Sequence, residues 1–529
     1  MYKYFAIVLL LALIFLSACG RQLDVSEFVA PGEGVNELVF ENPFNLPDTP
    51  HGGNILHAWN MSFIEIINHL PYIAEAGFGV VQTSPIGAAL VREQGMGTFG
   101  RWYDLYQPTA FRVGNYLGTY EEFRELARQA ALLGIFIIVD AIPNHSTAYW
   151  DFIDPALRDF RPSLFHSRFG DRVSDNPWAA PMDFDNRRSF VRSNLLGLWD
   201  FYTSREEFQQ IYKEFLRVII DAGASGFRFD AAHHIELPLD PEDIRSNFWP
   251  AVSGFVEERV SSHGRIALQY GETLGGGYRA NMYLYSLYEH ARFLVTPYAF
   301  SDHIRRTVTT GILVGGQNGW SSDNFHISGN QPNNHDSIFG PAFRGANLGG
   351  HVGFATGVVP WVESHDQYGN EGVSRHLTDE MIITGWALIA ARYGTTPLFF
   401  VRPGEGFVNS GNMFIPQDDG TFANRWGHDL LYRSPQIAAI NRFSNDFINE
   451  PEATSTHGGV ALIQRGEPGA KTGAVIVSLA REPVAVDLPV EMVDGDYVCQ
   501  ITGGSFTVLD GRLTGPDIDA TSVVVLRIP

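Results

Sequence analysis

Cysteine and lysine are both scarce in this sequence. Cys19 and Cys499 are its two cysteines, so no disulfide framework can hold the fold and stability has to come from a packed core. Lysine occurs at Lys3, Lys213 and Lys471, and arginine makes up the rest of the 37 basic residues, against 59 acidic ones. The net charge of −22 excludes nucleic acid as a partner, because a phosphate backbone requires a basic face, and suits a neutral ligand better. Charged residues amount to 18% and hydrophobic residues to 45%, too little charge and too much apolar surface for a disordered chain. A chain of 529 residues can bury one large core and a smaller second one, and a monomer is expected. Internal repeats and low-complexity tracts are absent from the sequence.

The first residues read as a processed leader. Lys3 precedes an apolar run from Phe5 to Leu16, which suits a secretory signal and falls short of the roughly twenty residues needed to cross a bilayer. The run ends in Leu16-Ser17-Ala18-Cys19, which matches the bacterial lipobox. This resemblance to lipoprotein precursors implies removal of residues 1–18 and a lipid on the Cys19 thiol. It also implies a protein anchored on the extracellular face of the cytoplasmic membrane, with shedding to the medium as the variant outcome. Residues 19–37, with Pro31, Gly32 and Gly34, read as a flexible tether. Cys499 lies in an apolar segment and reads as inert core.

From residue 54 onward short apolar runs alternate with amphipathic stretches. Residues 55–59, 80–83, 135–140, 226–230, 266–270, 358–362 and 390–400 read as strands, with a weaker one over 293–297. Residues 63–76, 119–133 and 208–222 show helical spacing, with Thr119 placed to cap its helix and Gly134 to close it. Alternating strands and helices imply a parallel sheet, and about eight such strands close a (β/α)8 TIM barrel. An open doubly wound sheet is the alternative. The barrel is expected over residues 38–144 and 201–445. Residues 145–200, rich in Asp, Pro, Arg and aromatics and without a sustained period, are too long for an ordinary loop and read as an inserted subdomain. Short alternating runs separated by Gly and Asp turns predict a C-terminal all-β, Greek-key-like domain over 446–529.

The stretch GFRFDAAHH carries the first chemical signal. Arg228 and Asp230 stand two residues apart at the end of an apolar strand, so they share a face, in an interior that would accept neither alone. Asp140, Glu272 and Asp366 also stand at the carboxyl ends of predicted strands. In a barrel those ends converge on one face, where active sites are built. Carboxylates held together push one pKa up, which keeps one acid protonated beside an ionised neighbour. A proton donor plus a nucleophile is the minimum for breaking a glycosidic bond with retention. His145 and His365 are placed to donate to sugar hydroxyls, and aromatic side chains, 13% of the chain, could stack on apolar sugar faces.

DAIPNH, GFRFDAAHH, the Gly271-Glu272 pair and VESHD resemble, in order, the four signature regions of the α-amylase family of glycoside hydrolases. ILHAWNMSF, VVQTSPI, WYDLYQPTAF, LLGLWDF and TTPLFFVRP are similar to the secreted saccharifying members from Gram-positive bacteria, as is LDGRLTG in the C-terminal sheet. The resemblance implies that Asp230 is the nucleophile, Glu272 the acid/base and Asp366 the third acid, which stabilises positive charge in the transition state. It further implies that Arg228 orients the nucleophile, that Asp140 holds Arg228, and that His145, His365, Tyr106, Gln107, Trp102, Tyr103 and His233 line the substrate cleft. Calcium is the implied cofactor, held by Asn144, Asp200 and the backbone carbonyl of His234.

The sequence departs from the family at His233, where relatives carry lysine; histidine is shorter and titrates near neutral pH, which affects leaving-side binding. Ser364 stands where chloride-activated members carry asparagine, so no chloride requirement is expected. The expected activity is endo-hydrolysis of α-1,4-glucosidic bonds in starch, glycogen or maltodextrins with retention. The alternatives are a related transglycosylase, a cyclomaltodextrinase, or a non-catalytic glucan-binding surface lipoprotein; the last would expect a damaged triad, whereas all three acids are present.

Overall fold

The computed structural model describes residues 23–90, 100–166, 182–183, 186–274, 293–311, 358–418 and 421–528. The leader and Cys19 lie outside them. Seven strands form one parallel sheet: β1 Ile55–Ala58, β2 Val80–Thr83, β3 Phe136–Ala141, β4 Gly226–Phe229, β5 Leu268–Gly271, β6 Phe293–Val295 and β7 Leu398–Phe400, in the order β6-β5-β4-β3-β2-β1-β7. Residues 358–361 close the ring, because Val358 bridges Val295 of β6 and Trp361 bridges Leu398 of β7, both in parallel. The strands are buried on both faces and read as continuous apolar runs for that reason. The result is the expected TIM barrel, wrapped by helices α1 Phe63–Glu75, α2 Tyr120–Ala131, α3 Glu206–Ala222, α4 Phe248–Ser262, α5 Tyr298–Thr310, α6 Asp379–Ala390 and α7 Pro435–Asp446.

Local sequence explains where the helices begin. Ser62 with Glu65, and Thr119 with Glu122, each form a capping box: the hydroxyl accepts from the backbone of the third helical residue, whose carboxylate reaches back. Among the described residues no helix is long and apolar enough to cross a membrane.

Two expectations need correction. Residues 390–400 are not one strand: Ala390 ends α6, the chain turns at Gly394 in the left-handed region, and the strand is Leu398–Phe400 alone. An apolar run of that length cannot be divided between helix end and strand by periodicity. The tether over 19–37 is also corrected from Asp24 on. Phe28 and Val29 are buried, Val29 bridges Phe111, and Asn36 donates from its side chain to the carbonyls of Arg124 and Ala222 at 2.9 and 2.8 Å. The segment is a strap fastened to the helices around the barrel.

The insertion leaves and re-enters the barrel through one antiparallel bridge between His145 and Asp200, reinforced by Ser146 N–H to the Trp199 carbonyl at 2.7 Å and Phe201 N–H to the Asn144 carbonyl at 2.8 Å. At the other end, eight antiparallel strands from Glu452–His457 to Ser522–Arg527 form the C-terminal sheet over a core that includes Leu462, Ile476, Tyr497 and Leu526. Arg465 of that sheet joins it to the barrel by donating to the carbonyls of Ala391, Glu450 and Phe447. Cys499 is buried, as expected.

β1 carries His57 into the barrel, where it is 1% exposed. Burial, aided by the charge of Arg228, lowers its pKa from 6.5 to about 3. As pH falls below 6.5 the unfolded chain binds a proton that the folded chain refuses, so this group's contribution to stability is lost between about 6.5 and 3. The stability advantage of wild type over His57→Gln, measured by urea unfolding, is therefore expected to shrink by about 2 kcal/mol between pH ~7.5 and ~5. A constant difference would contradict the assignment.

Candidate active site

Gly226 opens the critical strand. Its φ is +153°, and an added Cβ would lie 1.8 Å from the Leu268 carbonyl oxygen, so glycine alone lets β4 approach β5. The pleat then turns Phe229 outward against Trp249 of α4, with ring centroids 5.2 Å apart, and Arg228 to the opposite face.

Arg228 gathers the acids. One terminal nitrogen donates to Asp140 Oδ1 at 2.8 Å and Asp230 Oδ1 at 2.7 Å, and the other lies 2.7 Å from Glu272 Oε1. The second oxygen of Asp140 accepts the Tyr106 hydroxyl at 2.9 Å. After Asp230 the chain takes a left-handed step at Ala231, with φ 47°, a conformation that costs a non-glycine residue about 1 kcal/mol. That step aims the Ala231 N–H at Glu272 Oε2, 2.9 Å away. Asp366 begins a wide π-helical turn over Asp366–Asn370, and its side chain is 21% exposed, the most open of the four acids.

Burial raises Asp140 to about 6, against the pull of Arg228 and Tyr106. Burial likewise pushes Asp230 up, with Arg228 opposing and the charges of Glu272 and Asp140 adding to it. Asp366 is raised well above the ordinary carboxylate range by burial and then by the charge of Glu272. Glu272 moves the other way: burial would raise it, but Arg228 and the Ala231 N–H outweigh that. The charge of Glu272 thus favours the protonated form of Asp366.

The flanking histidines are neutral. Burial lowers His145 to about 4 and takes His365 well below 6.5. His145 Nε2 donates to the Tyr106 carbonyl at 3.1 Å and stands 3.9 Å from Asp230 Oδ2. His365 stacks on Tyr106 with centroids 5.2 Å apart, meets His57 and Trp102 edge-on, and lies 3.6 Å from Asp366.

The structure thus brings together Asp140, Arg228, Asp230, Glu272, Asp366, Tyr106, His145 and His365. Trp102 is buried beside them and donates from its indole to Asn409 at 2.7 Å; Tyr103 sits at its edge under the Arg101 guanidinium. Gln107 has its side-chain carbonyl occupied by the Thr147 hydroxyl at 3.0 Å and the Ala148 N–H at 3.4 Å, so it fastens the base of the insertion. His233 is turned inward, with Nδ1 donating to the Glu272 backbone carbonyl at 2.9 Å. The bridge at the insertion's neck sets Asn144 and Asp200 side by side, and His234 donates from Nδ1 to the Phe190 carbonyl at 3.1 Å.

Sequence reasoning missed His57 and Glu236. A histidine inside ILHAW reads as core. Glu236 is wholly buried and its charge helps raise Asp200; a lone acid in HIELP was the available signal.

Residues 62–263 match the alpha-amylase catalytic domain. The chain is 31% identical over 514 residues to an alpha-amylase of Butyrivibrio fibrisolvens, covering 92% of this chain and 48% of that protein. It is 29% identical over 495 residues to an alpha-amylase of Clostridium acetobutylicum, covering 91% and 54%. The chain therefore spans about half the length of the curated relatives it matches. The crystal structure of wild-type alpha-amylase I from Eisenia fetida superposes with a TM-score of 0.64 at 17% identity, covering 90% of this chain and 98% of that one, and shares the fold. With the barrel and its signature regions in place, residues 62–263 are identified as an alpha-amylase catalytic domain.

Proposed function

We propose that the protein is a retaining, endo-acting α-amylase that hydrolyses α-1,4-glucosidic bonds of starch or related glucans at the cell surface. The observation that carries this reading is the set of acids around one guanidinium. Asp230 and Glu272 are bound to the two ends of the same guanidinium, which favours the short carboxylate spacing of a retaining pair, about 5 Å, over the wider gap that admits an attacking water. Arg228 holds Asp230 Oδ1, leaving Oδ2 on the His145 side for the sugar.

In the first step Asp230 bonds to the anomeric carbon while the glycosidic C–O bond breaks and Glu272 protonates the departing oxygen. In the second step Glu272 takes a proton from water, the water oxygen bonds to the anomeric carbon, and Asp230 is released. Asp366, in its ionised form, stabilises the positive charge that develops on the sugar. A relative from Eisenia fetida has been solved with maltohexaose, an oligosaccharide of this class.

Calcium fits the neck of the insertion. Asp200 Oδ2 is buried without a hydrogen-bond partner, and the Asp200 carboxyl is raised well above its ordinary range by burial and by Glu236. A hard cation suits this oxygen, with Asn144 and the His234 carbonyl as the further ligands. Bound there it supplies structural charge balance beside the barrel. Among the described residues no group of three His, Cys, Asp or Glu side chains could hold a metal.

Three measurements test this reading. Wild type is expected to release reducing ends of the α-anomer from soluble starch, followed by proton NMR, whereas Asp230→Asn and Glu272→Gln lose at least about a thousandfold in rate. Undiminished hydrolysis by Asp230→Asn would sink the assignment, and sugar-to-sugar transfer products would favour the transglycosylase reading. Chelation is expected to lower the melting temperature by roughly 5 °C or more, with calcium restoring it and Asp200→Asn abolishing the response. Lipidation at Cys19 predicts that Cys19→Ser frees the protein from membranes; unchanged membrane retention would contradict it.

A further inference from the structure

The surroundings of His233 give it a task inside the protein rather than at its surface. It is 3% exposed, its ring lies 5.4 Å from that of Phe190 and 4.4 Å from that of His234, and its Nδ1–H is committed to the backbone carbonyl of Glu272 at 2.9 Å. Glu272 is thus held by the loop after β4 at two points: its carboxylate by the Ala231 N–H, and its main chain by His233. A third bond, from the Glu272 N–H to the Phe229 carbonyl at 2.9 Å, completes the attachment.

That loop is itself clamped from the insertion. Arg187, 5% exposed, donates to the His233 carbonyl at 2.7 Å and to the Ile235 carbonyl at 2.9 Å. Asp240, also buried, locks the guanidinium through both oxygens at 2.7–3.1 Å and accepts the Leu237 N–H at 2.8 Å. Three residues on, Phe190 stacks on His234 and accepts its Nδ1–H. A planar arginine with fixed donors can satisfy both carbonyls and the carboxylate together, which an ammonium could not.

We propose that His233 is a positioning residue for the proton donor Glu272, held in register by Arg187 of the inserted subdomain, so that the insertion sets the placement of the general acid. This rests on the reading of Glu272 as acid/base. The lever is main-chain position: a small displacement of a proton donor costs far more in rate than in substrate binding.

The discriminating experiment compares two substrates. Maltoheptaose has an alcohol leaving group that needs a proton, whereas α-maltotriosyl fluoride has one that leaves without it. His233→Leu is expected to lower kcat on maltoheptaose about ten- to a hundredfold with KM within about twofold, and to lower turnover of the fluoride less than about threefold. His233→Asn, whose amide N–H can take the place of Nδ1–H, is expected to regain most of the maltoheptaose rate. A rise in KM for maltoheptaose at constant kcat would overturn the proposal in favour of a direct sugar contact. Equal losses on both substrates, accompanied by a lower melting temperature, would overturn it in favour of structural support alone. A wild type inert on both substrates, or an Asp230→Asn variant as active as wild type, would instead bring down the underlying glycosidase reading, and the proposal with it.

Discussion

The site depends on a single buried cation. Arg228 binds Asp140 at the end of β3, Asp230 just beyond β4 and Glu272 just beyond β5, so one guanidinium ties three neighbouring barrel segments at their carboxyl ends. Burial and mutual repulsion raise Asp140, Asp230 and Asp366 even so, and Arg228 is the charge that opposes them. Removing one partner of such a buried set costs roughly 3–5 kcal/mol, because the remaining charges are left uncompensated. The forked shape matters as much as the charge, since three carboxylates are reached from two nitrogens. The same bonds that hold the barrel's rim therefore set the ionisation and placement of the reacting groups.

Neutral groups complete the environment. His57, His145 and His365 are all kept uncharged by burial, so Arg228 faces no competing cation among them. Asp366 is more open than the other acids, which suits a group that faces substrate. Local strain at Ala231 is offset by the hydrogen bond it makes possible to Glu272.

Most of the site was legible because a parallel barrel brings the carboxyl ends of its strands together. Asp140, Asp230, Glu272 and Asp366 needed only a strand assignment to be placed in one pocket. What could not be read is equally instructive. Arg187 sits in a stretch with no period, and its contacts with His233 and Asp240 span 46 and 53 residues of sequence. His57 hides in an apolar strand where one histidine carries no pattern. The strap after Asp24 looks flexible by composition, yet Asn36 supplies two side-chain bonds to helix carbonyls that no local rule foretells. Residues 390–400 show the reverse error, in which a uniform apolar run concealed a helix end, a turn and a short strand.

The narrow neck of the insertion has a consequence of its own. Because the chain departs and returns through one bridge between His145 and Asp200, the whole excursion begins and ends at neighbouring backbone positions. Its entry point coincides with Asn144 and Asp200, and Arg187 and Phe190 pin it a second time against the loop after β4. A segment attached in this way is held at two depths: a change near the neck bears on the proposed cation ligands, and a change near Arg187 bears on the loop that carries His233 and, through it, on Glu272.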